Sequence, residues 1–161
     1  MSDTIRVVGV SGSPTDPSRT TALVRRVSEA FAGKLGGEVQ IIELATVLPA
    51  LAVGGYRPNL GARAQEALEA VETADVLVVG SPAYRATYSG LFKLFFDYVG
   101  QYALVDTPVV LTATGGSDRH ALLVEHQMRP LFGFFQALTL PLVRSQLAAN
   151  AAAREPALSA G

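Results

Sequence analysis

Between positions 9 and 21 the chain reads Gly-Val-Ser-Gly-Ser-Pro-Thr-Asp-Pro-Ser-Arg-Thr-Thr. An apolar run over residues 5–10 precedes it and reads as a buried strand. From Ala22 an amphipathic run to Leu35 reads as a helix. A loop from strand end to helix start aims backbone N–H groups at one point, backed by the positive end of the helix dipole. The hydroxyls of Ser11, Ser13, Ser18, Thr20 and Thr21, together with Arg19, can wrap an anion held there, and a phosphate dianion suits the point. Two familiar phosphate loops are excluded. The Gly-Lys-Ser/Thr ending is missing, and Gly-x-Gly-x-x-Gly does not fit. Ser18 could also be an ordinary helix N-cap, but a cap needs one hydroxyl and this loop supplies several.

Two further loops have the same setting. Pro-Ala-Tyr-Arg-Ala-Thr-Tyr-Ser-Gly over 82–90 follows an apolar run at 75–81 and precedes a helical pattern at 91–99. Thr-Gly-Gly-Ser-Asp over 114–118 follows an apolar run at 109–114 and precedes a helical pattern at 118–138. Pro82, Ala83, Tyr84 and Arg85 offer backbone polar groups and flat surface. Gly115 and Gly116 let backbone N–H groups approach a ligand closely. A ligand with a phosphate at one end and a flat heteroaromatic ring at the other matches all three loops, and flavin mononucleotide (FMN) is such a ligand.

The elements that must position these loops alternate. Strands are expected at 5–11, 39–44, 75–81 and 109–114, with a short fifth at 140–143. Gln40 and Glu43 place the second nearer the sheet edge, and the fully apolar third marks a central parallel strand. Helices are expected at 18–35, closed by Gly36 and Gly37, at 61–74 with Leu68 and Val71 inward, at 91–99 and at 118–138. Residues 45–60, with Pro49, Gly54, Gly55 and Pro58, read as a long loop. Strict alternation implies an α/β, doubly wound parallel sheet with right-handed crossovers. Its strand carboxyl ends share one edge, so the three loops should form one site.

Two helical stretches, 91–99 and 131–135, are apolar nearly all round and suggest a subunit interface. Pro130, inside the last helical run, has no N–H and crowds the His126 carbonyl, so a kink or a wide turn is expected there. The only histidines, His120 and His126, lack metal-site neighbours and read as structural.

With 161 residues, 49% of them apolar and 17% charged, the chain suits one folded domain, expected at 1–145 with an Ala-rich tail at 146–161. A net charge of −1 gives no general attraction to nucleic acid or membrane surfaces. The absence of cysteine removes disulfides and thiolate chemistry and agrees with a reducing cytoplasm. The strand starts too early to leave room for a signal peptide, and no apolar run reaches membrane-span length.

Three segments in order carry a family resemblance. They are Gly12-Ser13-Pro14 with Ser18-Arg19-Thr20, Ser81-Pro82-Ala83-Tyr84-Arg85 with Tyr88-Ser89-Gly90, and Thr114-Gly115-Gly116-Ser117. Together they resemble the NAD(P)H-dependent FMN reductases. The resemblance spans residues 5–142 and is closest to the branch that supplies reduced flavin to alkanesulfonate and methanesulfonate monooxygenases. Residues 113–122 and 129–132 are especially similar to the methanesulfonate-linked members.

The resemblance implies a flavodoxin-like, five-stranded parallel sheet of order 2-1-3-4-5. It implies FMN, with NADPH or NADH as co-substrate, and a homodimer or homotetramer, here through the helices at 91–99 and 118–138. A flavin-dependent monooxygenase is the implied partner. Ser11, Ser13, Ser18, Arg19 and Thr20 would hold the FMN phosphate, with Pro14 in the same loop. Pro82, Ala83, Tyr84 and Arg85 would line the ribityl chain and ring. Thr114, Gly115, Gly116 and Ser117 would form the third contact, the two glycines meeting the pyrimidine end. No side chain is expected to act as catalytic acid or base, because hydride passes directly from nicotinamide to flavin, and no metal is expected.

Beyond residue 142 the chain departs from the family pattern. At most one short helix fits, at about 145–155, so the last strand and its covering helix are expected to be truncated. Two other readings share the fold: a reductase of quinones, azo dyes or metal oxyanions with tightly bound FMN, and a non-enzymatic electron carrier of flavodoxin type. Such carriers tend to be strongly acidic, unlike this chain.

Overall fold

The computed structural model describes residues 3–116 and 122–141. Five parallel strands form one sheet in the order β2-β1-β3-β4-β5: β1 Arg6–Ser11, β2 Glu38–Glu43, β3 Val76–Pro82, β4 Pro108–Thr114 and β5 Leu138–Thr139. β2 stands at an edge and β3 in the centre, as their compositions predict. Side chains alternate across each strand and so supply two cores. Val7, Val76, Val78 and Val110 meet α1 (Arg19–Leu35) on one face. Val8, Val10, Leu77, Val79, Val109 and Leu111 face the other layer. That layer contains α2 (Leu44–Leu51), α3 (Ala62–Glu72), α4 (Gly90–Phe96) and α5 (Arg129–Phe134).

α1 buries Thr20, Val24, Ser28 and Ala32, one residue per turn, against the sheet. It starts on an N-cap bond to Ser18 and stops at Gly36, whose φ of 67° lies in the left-handed region that glycine adopts without penalty. α3 begins after Gly61 and buries Leu68 and Val71, the two residues expected inward.

Three expectations need correction. Most of the loop expected at 45–60 is structured, as α2 and a 3₁₀ turn at Arg57–Asn59. Leu44, Val47 and Leu51 make a buried stripe at helical spacing, and its burial outweighs the single backbone bond that Pro49 cannot donate. The helix expected to run to residue 138 ends at Phe134, and the chain turns back through Gln136 at φ 56°. The fifth strand therefore comes two residues early, and its ladder continues as Leu140 N–H donates to the Val109 carbonyl at 2.9 Å.

The third correction concerns the all-apolar helices. Phe92, Phe95, Phe96, Phe132 and Phe135 lie inside the chain's own core, stacked edge to face or tilted with centroids 4.7 to 6.4 Å apart. Their all-round hydrophobicity is thus accounted for within one chain, and Phe134, 61% exposed, is the aromatic of this group that faces outward.

The wide turn expected ahead of Pro130 is present. Val124–Met128 is a π turn, and Arg129 N–H reaches back to the Val124 carbonyl. The boundary expected at 145/146 and the helix expected near 145–155 lie outside the described residues.

Candidate functional site

The register of the sheet brings the three loops to one edge. Ser11 at the end of β1 pairs with Gly80, and Pro82 at the end of β3 pairs with Thr114 at the end of β4. Hydrogen bonds then lace the loops together. Gly12 N–H donates to the Gly80 carbonyl at 2.8 Å, and Ala83 N–H donates to the Thr114 carbonyl at 2.8 Å. The Thr20 and Thr114 hydroxyls meet at 2.6 Å, joining the first turn of α1 to the end of β4.

In the first loop, Ser11 is fully buried and its hydroxyl meets that of Thr21 at 2.8 Å. Ser13, also buried, exchanges hydrogen bonds with the backbone and hydroxyl of Thr15 at 3.2 to 3.3 Å. Ser18 accepts the Thr21 N–H at 3.2 Å, so the plainer N-cap reading of Ser18 is correct as far as it goes. The hydroxyls around it still converge on the α1 N-terminus. Arg19 and Pro14 are exposed beside them, and among the described residues Arg19 has no ion-pair partner.

The second loop is a tight hairpin. Tyr84 and Thr87 exchange backbone hydrogen bonds at 2.8 and 3.1 Å, and Arg85 and Ala86 between them have φ of 48° and 71°. Two successive positive φ angles are the mark of a type I′ turn, which ordinarily takes Asn-Gly; with Arg-Ala there it is strained. The Thr87 hydroxyl donates to Gln127 Oε1 of the π turn at 3.3 Å, tying the hairpin to the segment before α5. Tyr84 is 43% exposed and Pro82 and Ala83 are half-buried, so the loop presents surface beside the first.

In the third loop Thr114 is half-buried and Gly115 and Gly116 are exposed. Among the described residues, a Cβ at Gly116 would meet no atom within 4 Å beyond its chain neighbours. Ser117 lies outside the described residues. The sequence assigns no role to Ser81, Ser89 or Gln127, although Ser89 carries the mark of an N-cap just ahead of a helical pattern.

This donor set fits a flavin phosphate. Helix N–H groups and hydroxyls gather at the start of α1 with Arg19 exposed beside them, and the first turn of α1 holds no acidic side chain to oppose a dianion. At the other end of the edge the backbone at Gly116 is exposed and, among the described residues, uncovered.

Comparison with known proteins agrees with this chemistry. The family model of NADPH-dependent FMN reductases matches residues 5–153. The chain belongs to that family. It is 51% identical over 138 residues to an NADH-dependent FMN reductase, SfnF, of Pseudomonas putida, covering 85% of this chain and 74% of that one. It is 44% identical over 142 residues to an FMN reductase (NADPH) of Pseudomonas aeruginosa, covering 88% and 76%. Among solved structures, the apo form of an NADH:FMN oxidoreductase, EmoB, superposes with a TM-score of 0.80 at 30% identity, covering 91% of this chain and 80% of that one.

Proposed function

We infer that this family member is an NAD(P)H-dependent FMN reductase whose flavin lies across the three laced loops. The observation that carries the reading is the convergence of a phosphate-type donor set and an exposed glycine backbone on one sheet edge, in a chain of this family. When bound there, the flavin would supply the redox chemistry of hydride acceptance from a reduced nicotinamide.

The protein's part is to bind and orient. Ser13, Ser18, Arg19 and the neighbouring Pro14 hold the phosphate end, and the buried Ser11 and Thr20 brace the loop from behind through Thr21 and Thr114. Pro82, Ala83, Tyr84 and Arg85 line the chain and ring. Thr114, Gly115 and Gly116 take the far end, where glycine N–H groups can stabilise negative charge as it develops.

The relatives' names cover both NADH and NADPH, so both nucleotides belong in the test. Nucleotide oxidation should require added FMN and saturate with it, the behaviour of an enzyme that releases its flavin. Protein isolated with bound FMN and indifferent to added FMN would favour the tight-binding reductase.

The same proposal gives reduced flavin to a two-component monooxygenase of the alkanesulfonate or methanesulfonate type, in the cytoplasm. Its support is the motif resemblance together with the absence of cysteine. No helix among the described residues is long and apolar enough to cross a membrane. A homodimer or homotetramer is also proposed, with the exposed face of α5 at Phe134 in the contact.

A further inference from the structure

The first loop leaves its strand at the Gly12–Ser13 peptide, and that peptide is held from the far side of the second loop. Gly12 N–H donates to the Gly80 carbonyl at 2.8 Å. The Gly12 carbonyl accepts from Ser89 Oγ at 2.6 Å. Ser89 is 1% exposed; its hydroxyl accepts the Phe92 N–H at 3.1 Å, and its own N–H donates to Ser81 Oγ at 2.8 Å. A serine hydroxyl has one proton to give, and here it goes to Gly12. Gly12 is also confined sterically, since a Cβ there would come within 2.8 Å of Phe92 Cβ.

The consequence follows from peptide geometry. In a trans peptide the carbonyl and the next N–H point in opposite directions. Drawing the Gly12 carbonyl towards Ser89 turns the Ser13 N–H away from Ser89, to the side of the first loop's hydroxyls. There it meets Ser11 Oγ at 3.5 Å, the outer limit of a hydrogen bond, so its donor capacity is scarcely used.

We propose that Ser89 is a positioning residue for phosphate recognition: by holding the Gly12 carbonyl it presents the Ser13 N–H to the phosphate of the bound nucleotide. The residue sits at the end of the loop proposed to line the ring, yet acts on the loop proposed to hold the phosphate. The two ends of the site are thereby set in one geometry before the ligand arrives, which spares the cost of ordering them on binding. This inference rests on the flavin reading of the site given above.

The test compares two flavins that differ only in the phosphate. Dissociation constants for FMN and riboflavin are measured by fluorescence quenching on wild type, Ser89→Ala, Ser89→Gly and Val71→Ala. Glycine is a tolerated N-cap, so Ser89→Gly keeps α4 while removing the donor. Val71→Ala weakens the core far from the loops. Both Ser89 variants should raise the FMN constant about ten-fold, as loss of a hydrogen bond to a charged group does, and leave the riboflavin constant at its wild-type value. Val71→Ala should leave the ratio of the two constants unchanged. Ser89→Gly that keeps the wild-type ratio, or that weakens both flavins equally, overturns the role of Ser89 alone. Wild-type protein that binds neither flavin overturns the flavin reading and this inference with it.

Discussion

At the residue scale, the first loop shows why several hydroxyls next to a helix start are informative in a bare sequence. Ser11, Ser13 and Thr20 are buried, and buried hydroxyls need partners. They find them in Thr21, Thr15 and Thr114 respectively, so the loop is a shaped set rather than a loose polar surface. Ser18→Ala should lower FMN affinity by about 1 kcal/mol and, as a lost N-cap, destabilise the fold by a similar ~1 kcal/mol. Arg19 makes no ion pair among the described residues, so Arg19→Ala should weaken FMN by about 1.5–3 kcal/mol without lowering the melting temperature. Calorimetric titration beside thermal unfolding separates the two effects. Ser89 is harder to read, because its role depends on a contact to Gly12 that is 77 residues away in sequence.

At the element scale, strand and helix order is legible because β1, β3 and β4 are near-continuous apolar runs bounded by turn residues. The π turn is legible too, since Pro130 denies the helix a regular bond. α2 is not, because Pro49 and the glycines after it look like breakers while the stripe of Leu44, Val47 and Leu51 spans only eight residues. The short elements around it are fastened by a clasp that the sequence does not announce. Arg57 of the 3₁₀ turn donates twice to Glu72 at the end of α3, at 2.6 and 2.8 Å, and also to the Tyr98 carbonyl at 3.0 Å. Glu72 in turn accepts Gly100 N–H at 2.7 Å.

Burial pushes the Glu72 carboxyl up, but hydrogen bonds from Arg57 and Gly100 and the Arg57 charge outweigh it and hold the group below its ordinary value. A depressed carboxylate stabilises the fold fully above the unfolded pKa and stops doing so as pH falls through the folded one. Urea midpoints should therefore decline below about pH 4.5. Glu72→Gln should flatten that decline and cost about 1–2 kcal/mol at neutral pH, a range lowered for partial exposure.

At the scale of the whole molecule, apolar composition alone misdirects. The phenylalanines of α4 and α5 suggest an outer contact, but most of them fill the chain's own core, and only solvent exposure separates the two uses. Phe95→Asp should therefore unfold the protein, because its ring is fully buried. Phe134→Asp, at a 61% exposed position, should keep the fold and reduce any oligomer to smaller species in sedimentation. A wild-type monomer at micromolar concentration would remove the proposed contact.

The sheet edge where the three loops meet is the part of the molecule on which the functional account depends. The measurement that tests it most directly is NADH and NADPH oxidation by the purified protein over a titration of FMN. The account predicts oxidation of at least one nucleotide that is negligible without FMN, saturates with it, and loses FMN affinity in Arg19→Ala. Failure to oxidise either nucleotide at saturating FMN, by protein that is folded, would contradict it.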